Sequence, residues 1–433
     1  DALRDALVAR GSDVSWHPPF MQSRYTDWVN GLKGDWLISR QRYFGVPIPV
    51  WYRLDADGNP TYDDVLTPNE DRLPIDPSTD CPDGFEEGDR GKPGGFIGES
   101  DVMDTWATSS LTPQIAAGWI DDADLFGRVF PMDIRPQAHE IIRTWLFSSV
   151  VRCDAEFDCL PWRDAAISGW ILDPDRKKMA KSRDNVVTPE DVLKEHSADA
   201  VRYWAACGRP GTDTAFSEDQ MKVGRKLANK LLNVTKFVLG IGDLTDGAEA
   251  ITSAIDRSML AKLDEVIEEA TDAFDGFDYA RALERTEAFF WWFCDDYVEL
   301  VKGRGYGTMG DEAAMSARAA LRLALNALQR LFAPILPFAT EEAWSWWQPG
   351  SVHRASWPST TALGGDAALI DPTLETLGLV RRTKTEAKVS QRAAVARLSI
   401  TAAAALHAAL ETGRADLVEA GSIQVVTVDA GDT

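Results

Sequence analysis

The sequence predicts an α/β region, then an all-α helical bundle and a small C-terminal α/β piece. Up to about residue 172, short apolar runs such as GRVFPMDI and DAAISGWIL are separated by the helical pattern HEIIRTWLFSSVVRC. Strands that alternate with helices in this way favour an α/β sheet. From about residue 218, one long helical pattern follows another. Long helices joined by short loops are typical of a bundle.

Composition limits the class of protein. The chain has 433 residues, enough for roughly two to four domains. Its 68 acidic and 45 basic residues give a net charge of -23, which we interpret as the hydrated surface of a halophilic protein in a high-salt cytosol. No apolar run is long enough to cross a bilayer, so no membrane partner is expected. The five cysteines form no CxxC pair, which argues against a disulfide framework or a metal site and favours a cytoplasmic location.

Local patterns place the elements in chain order. Residues 56–99 are dense in Gly, Pro and Asp, which predicts a loop-rich insertion with little regular structure. The last sixty residues contain ARLSIT, an Ala-rich helical stretch and SIQVVTV, which together predict a small β-α-β appendage. The first helix of the bundle has an apolar stripe at steps of three and four, formed by Val223, Leu227, Leu231, Val234 and Val238.

A cationic run, RKKMAKS at residues 176–182, stands out in so acidic a chain. It follows an apolar strand-like piece and a Pro/Asp turn. It precedes a helix start at Thr188, with Pro189 in the first helical position. Lysines on flexible stems can follow moving phosphates, and a serine hydroxyl can donate to a phosphate oxygen. By itself such a run is more often a solvated loop.

A second basic feature lies in the bundle. Between Met221 and Lys236 the chain has no acid, and its basic residues at four positions are candidates for contact with RNA phosphates, namely Lys222, Arg225, Lys226 and Lys230. Residues 381–392, RRTKTEAKVSQR, are another candidate. Neighbouring aromatics such as Trp291 and Trp292 could stack on bases, but five consecutive aromatics within a helix favour bundle core.

Five separated motifs carry a family resemblance. KMAKS, after the tripeptide SGW, resembles the KMSKS signature of class I aminoacyl-tRNA synthetases, with Ala180 replacing a serine. WLISRQRYFGVPIPVWY, DVMDTWATSS and RPQAHEIIRTWLF resemble the valyl, isoleucyl and leucyl subgroup, and FWWFCDDYVELVK resembles its helical anticodon-binding domain. Together with SVHRASWP, these motifs look most like an archaeal-type valyl-tRNA synthetase.

The resemblance implies a domain order. Residues 1–29 would be the tail of an editing insertion, and residues 30–172 the second half of the Rossmann-like catalytic domain. Residues 173–217 would hold the KMSKS-type loop and a connecting region. Residues 218–347 would form the anticodon-binding domain, and residues 348–433 a C-terminal appendage.

The resemblance also implies an activity and its residues. The family forms an aminoacyl-adenylate from ATP, here with valine, and transfers the aminoacyl group to tRNA. The implied partners are ATP with Mg²⁺, valine and valine tRNAs, with no tightly bound cofactor. The implied catalytic residues are Lys178, Lys181 and Ser182. ATP would also be contacted by Glu140, Gly169, Trp170 and Met179. The amino-acid pocket would include Phe44, Asp104, Trp106 and Trp145.

The chain departs from the family in three respects. Its five histidines form no HxGH arrangement, the editing insertion is absent except for its tail, and only Cys81 remains of a cysteine-rich element often found in the subgroup. We therefore expect the C-terminal half of a ligase, inactive alone and partnered by an N-terminal half. Two alternatives are a non-catalytic tRNA-binding module and isoleucyl-type specificity. A stand-alone nucleotidyltransferase is a third, but nothing in the sequence supplies the missing HxGH histidines.

Overall fold

The computed structural model describes residues 2–180, 185–243 and 247–431. The chain divides into two compact units, Asp1–Gly169 and Trp170–Thr433. Across the described ranges, no helix combines the length and apolar character needed to cross a membrane.

The first unit mixes short strands and helices. In chain order its elements are α1 (Ala2–Asp13), β1 (Ser15–His17), α2 (Gln22–Gly31), β2 (Ser39–Arg40), β3 (Trp51–Leu54), β4 (Pro60–Leu66), β5 (Phe96–Gly98), β6 (Val102–Met103), α3 (Thr105–Ser109), α4 (Thr112–Ala116), α5 (Ala123–Val129), β7 (Met132–Ala138), α6 (Phe147–Phe157) and β8 (Trp162–Ser168).

A three-stranded parallel sheet organises this unit, with β8 between β1 and β7. Its core is apolar and aromatic, and includes the fully buried side chains of Tyr25, Leu146 and Trp162. The parallel α/β sheet agrees with the sequence prediction. Strand β1, within residues 1–29, pairs with β8, and Trp16 of this strand is buried in the same core. The assignment of residues 1–29 to the tail of an editing insertion stays a prediction.

The segment at residues 56–99 is mostly turns and loops, with strands β4 and β5 near its two ends. Strands β3, β4 and β5 form an antiparallel sheet in the order β4-β3-β5. Trp51 and Phe96 are fully buried, and burial of these two large rings supports the strands. The Gly and Asp residues occupy the turns: Asp55, for example, accepts backbone hydrogen bonds from Asp57 and Asn59. Between β4 and β5 the segment consists of turns, short 3-10 helices and loops, as its composition predicts.

The second unit begins with β9 (Ile171–Leu172) and is mostly helical. Its other elements are α7 (Pro189–His196), α8 (Ala198–Ala206), β10 (Thr214–Ala215), α9 (Glu218–Gly240), α10 (Ala254–Asp275), α11 (Tyr279–Trp292), α12 (Val298–Gly305), α13 (Asp311–Phe332), α14 (Pro337–Ser345), α15 (Asp371–Glu386), β11 (Leu398–Ala402), α16 (Ala404–Gly421) and β12 (Val426–Ala430). Helix α7 begins at the predicted proline, although the Thr188 side chain makes no capping hydrogen bond.

The bundle core agrees with most of the predicted stripe on α9. Leu227, Leu231 and Val238 are buried, but Val223 is 36% exposed. Its neighbour Gly224 is buried instead, because the lack of a side chain there allows Tyr203 of α8 to pack against the helix backbone.

Two other predictions concern the bundle's aromatics and the chain's last strands. Trp291 and Trp292 pack against the core and are partly buried, as the sequence favours. Strands β11 and β12 pair in parallel and are connected by α16, which confirms the predicted β-α-β appendage.

Candidate functional site

In the first unit, two predicted ATP-binding residues lie at one edge of the parallel sheet. Ala138, the last residue of β7, is paired with Ser168, the last residue of β8. Glu140 lies in a 3-10 turn directly after β7 and is exposed, while Gly169 directly follows β8. In open α/β sheets ligands bind at the carboxyl ends of the strands. Glu140 and Gly169 therefore both lie at the carboxyl edge of this sheet, and their role in ATP binding stays a prediction.

Trp145 is held from two sides. Its Nε1 donates a hydrogen bond to the carbonyl oxygen of Ser109, at 2.8 Å. The guanidinium carbon of Arg135 lies 3.0 Å from the Trp145 ring centroid and 4.9 Å from that of Trp162. Burial of Arg135 lowers its pKa to about 10. Arg135 therefore covers one face of the ring that was predicted as a pocket wall. No pattern in the strand MDIRPQA, which also contains Asp133 and Gln137, marked Arg135 in the sequence.

Asp104 has a structural task in this unit. It caps α3 by accepting a hydrogen bond from the backbone N–H of Trp106, at 2.7 Å. Its other oxygen lies 2.5 Å from Nη2 of Arg40, and the side chain is buried. Asp104 thereby orients Trp106, whose side chain is 37% exposed. Phe44 is 89% exposed, so the described residues do not enclose it and its pocket role stays a prediction.

In the second unit, two further predicted ATP-binding residues lie together. The Nζ atom of Lys178 is 4.2 Å from the centroid of the Trp170 ring, in cation–π contact. The backbone of Trp170 is anchored by the next strand segment, since its N–H donates to Asp213 at 2.8 Å and its carbonyl accepts from Thr214. Sequence reasoning missed Asp213, which carries no motif of its own.

The arms of the cationic loop are joined by two polar side chains. Asp173, after β9, accepts hydrogen bonds from the backbone N–H of Lys177 and from the amide of Asn185. These bonds lower the pKa of Asp173. Met179, which lies between Asp173 and Asn185 in the sequence, is half-buried. The predicted catalytic residues Lys181 and Ser182 lie outside the described residues.

The basic face of α9 is exposed at Lys222, Arg225 and Lys226, as its RNA-contact prediction requires. Lys222 also lies 3.0 Å from Asp219, whose hydrogen bond raises the Lys222 pKa. Lys230 lies 2.8 Å from Asp295, a residue distant in sequence. The tertiary structure therefore offsets part of the charge that the local sequence left uncompensated.

One group of possible metal ligands occurs within the described ranges, at Glu195, His196 and Glu218, whose ligand atoms lie within 4.8 Å of one another. The pKa of Lys222 is raised mainly by Asp219, and the carboxylates of Glu218 and Glu195 raise it further by smaller amounts. That ammonium balances part of the acidic charge, and we assign no ion to the group.

Comparison with known families decides the class. The family model described as "tRNA synthetases class I (I, L, M and V)" matches residues 1–217, and that of the "Anticodon-binding domain of tRNA ligase" matches residues 256–400. The chain belongs to the class I tRNA synthetases. The resemblance inferred from the five motifs is thereby confirmed at the level of the family, and with it a synthetase catalytic domain followed by an anticodon-binding domain.

Several valine–tRNA ligases are similar to this class I chain. That of Thermobifida fusca is 59% identical, over 99% of this chain and 49% of the relative. Those of Salinispora arenicola and Cutibacterium acnes are 57% and 53% identical, over 99% and 100% of this chain and 53% and 50% of the relatives. The chain thus spans about half the length of the curated relatives it matches. All three are bacterial, which corrects the archaeal-type expectation and leaves the halophilic one without support.

A solved structure confirms the synthetase fold. The ternary complex of Agrobacterium radiobacter K84 agnB2 LeuRS with tRNA and LeuAMS is similar with a TM-score of 0.60 and 20% identity. The similarity covers 76% of this chain and 42% of that chain.

Proposed function

We propose that this chain contributes to the aminoacylation of tRNA with valine through a valyl-adenylate. The contact between Lys178 and Trp170, in a KMSKS-type loop beside a strand, is the observation that carries the proposal. The valine–tRNA ligases that match the whole chain support the choice of amino acid. ATP, valine and valine tRNA are the proposed substrates, and Mg²⁺ would accompany ATP. The proposed location is the cytoplasm.

The reaction assigns separate tasks to the residues. In the first step the valine carboxylate attacks the α-phosphate of ATP and pyrophosphate leaves, so negative charge accumulates on the leaving oxygens. The Lys178 ammonium would stabilise that charge more in the transition state than in the ground state. Glu140, at the sheet edge, would accept hydrogen bonds from the ribose hydroxyls. In the second step a terminal tRNA hydroxyl attacks the valyl carbonyl and AMP leaves.

Valine-dependent ATP–pyrophosphate exchange tests this proposal. The chain alone should show no exchange, because it lacks an HxGH motif. Fusion to the N-terminal half of the Thermobifida fusca relative should produce exchange with valine. In that fusion Lys178→Ala should lower the rate roughly 100-fold, as expected for a lost transition-state contact.

A matched control is the neighbouring Lys177, which is exposed and lies 3.5 Å from Asp175. Lys177→Ala removes the same charge one residue away and should change the rate less than about twofold. Equal losses in the two variants would show that net charge of the loop, and not the Lys178 ammonium, supports exchange. Exchange that prefers isoleucine would favour the isoleucyl-type alternative.

The anticodon-binding match and the basic face of α9 support a second proposal, that the chain binds tRNA by itself. Replacing Lys222, Arg225 and Lys226 with Ala should weaken the binding of all tRNAs by the same factor, because phosphate contacts carry no sequence information. The log–log salt slope should fall by about 0.7 to 0.9 for each lost contact.

A charge-matched triple variant in the first unit serves as the control, with exposed residues replaced by Ala at Lys33, Lys92 and Arg128. Gel-shift titrations at several salt concentrations should show no change for this control. If both triples weaken binding equally, general charge and not the α9 face attracts the RNA.

A further inference from the structure

Four hydrogen bonds connect the two arms of the KMSKS-type loop through Asp173 and Asn185, which we call the clasp. Asp173 Oδ1 accepts from the Lys177 backbone N–H at 2.7 Å, and Oδ2 accepts from the Asn185 amide at 2.8 Å. The Asn185 Oδ1 atom accepts from the backbone N–H of Ala180 at 2.9 Å. The same Asn185 amide also donates to the Lys178 carbonyl at 3.3 Å. Each clasp residue thus holds both the other one and the loop backbone.

The clasp acts on a tight reversal of the chain. Arg176 has a positive φ of 62° and donates its N–H to the carbonyl of Asp173, and Lys178 pairs with Leu172 in an antiparallel bridge. The bridge places Lys178 beside β9, the strand that follows Trp170, within cation–π distance of the ring. The Asp173 side chain is buried, so its hydrogen bonds are protected from competing water.

We infer that Asp173 and Asn185 are positioning residues, which hold Lys178 where it can stabilise the leaving pyrophosphate. This inference rests on the proposed function. Neither clasp residue needs to touch a substrate, because both act through the backbone on either side of Lys178. Precise orientation of a charged group before the reaction is worth most in the transition state. Loss of the clasp should therefore lower kcat for exchange and leave KM for ATP nearly unchanged.

Three variants of the fused enzyme separate this role from general loop stability. N185D places a second carboxylate against that of Asp173 and removes the hydrogen bond between the two side chains. It should lower kcat roughly 10- to 100-fold, the range expected when hydrogen bonds to a charged group are lost. D173N removes the charge and should have a smaller effect of the same kind. The swapped pair D173N/N185D restores an amide-to-carboxylate bond in the opposite direction and keeps acceptors for both backbone N–H groups. The swap loses only the long bond to the Lys178 carbonyl and should recover kcat to within about fivefold of the parent.

A spectroscopic measurement on this chain, without the fusion, tests the same geometry. Reductive ¹³C-methylation labels lysine amines and keeps their charge, and K178R identifies the Lys178 signal. Ring current from Trp170 should separate the chemical shift of methylated Lys178 from the shifts of exposed lysines in the parent and in the swap, but not in N185D. Added pyrophosphate should shift the same signal in the parent and swap, with at least tenfold weaker response in N185D.

The outcomes distinguish failure of the inference from failure of the proposed function. A fusion without valine-dependent exchange overturns the proposed function, while the pyrophosphate titration still decides whether the clasp positions Lys178. If N185D retains both kcat and the displaced Lys178 signal, the clasp is not a positioning device. A swap as defective as N185D, with far-UV circular dichroism and tRNA binding like the parent, would also refute the inference.

Discussion

Asp256 is the centre of a buried ionic network that joins helices of the second unit. The side chain is fully buried and accepts hydrogen bonds from Arg304 at 2.6 and 2.8 Å. It also accepts from the hydroxyls of Tyr297 and Ser316, at 2.7 and 2.6 Å. On its other side Arg304 donates to Asp416 at 2.9 Å. We predict that Asp256→Ala destabilises this unit more than the loss of any exposed ion pair.

The magnitude follows from what remains after the substitution. Removing one partner of a buried ion pair costs about 3–5 kcal/mol, and each of the two hydroxyls that lose this acceptor adds about 1 kcal/mol. Because Asp416 still pairs with Arg304, we expect a loss toward the lower end of this sum, roughly 4–6 kcal/mol. That loss corresponds to about 10–20 °C in Tm for a unit of this size. Asp256→Asn keeps the shape and should cost about half as much.

Thermal and urea denaturation followed by far-UV circular dichroism measure the effect. Glu299→Ala is the control, because it removes an exposed partner of Lys302 at 3.3 Å and should change stability by less than about 0.5 kcal/mol. In Asp256→Ala/Arg304→Met the only remaining ionisable carboxyl of the network is that of Asp416. Burial already raises the pKa of Asp416, so this carboxyl can accept a proton and become neutral. The double variant should therefore be more stable than Asp256→Ala. A double variant that is less stable would refute the argument that an uncompensated Arg304 charge causes the loss.

Three further predictions follow from particular contacts. Asp104→Ala should destabilise the first unit by about 1–2 kcal/mol in urea denaturation, because it removes a helix cap and an ion pair with the partly exposed Arg40; no change would contradict the cap. Gly224→Ala should destabilise the second unit by about 1–2 kcal/mol, because the new Cβ would lie 2.6 Å from Cβ of Tyr203. Gly240→Ala, which has open space, should stabilise by about 0.5–1 kcal/mol and serves as its control. Hydrogen bonds lower the pKa of Asp173 below its ordinary 3.8, so its contribution is fully present above that value and is lost only as pH falls through the lowered pKa. The methylated-lysine signal beside Trp170 should then stay constant down to about pH 4, and an earlier change would argue against a charged clasp.

Patterns in the sequence predicted those helices whose formation depends on neighbouring residues. The stripe on α9 has helical spacing, and Pro189 marks a helix start, because both features depend on residues within one or two turns. At residues 56–99 turn residues dominate the composition, and the local pattern did not indicate strands β4 and β5. Burial of Trp51 and Phe96, which are distant in sequence, stabilises strands there despite the turns between them.

The candidate site divides in a similar way. The sequence by itself determined the family and the types of residue at the site. KMAKS and the order of the other motifs along the chain were enough to single out Glu140 and Gly169. Only the tertiary structure decided their surroundings: Arg135 against Trp145, Asp295 beside Lys230, and the clasp across the KMSKS-type loop. These contacts join residues far apart in the chain, and an isolated Arg, Asp or Asn has no sequence pattern that names its partner. Burial and direction of a polar side chain are set by the packing of whole elements, which local sequence does not specify.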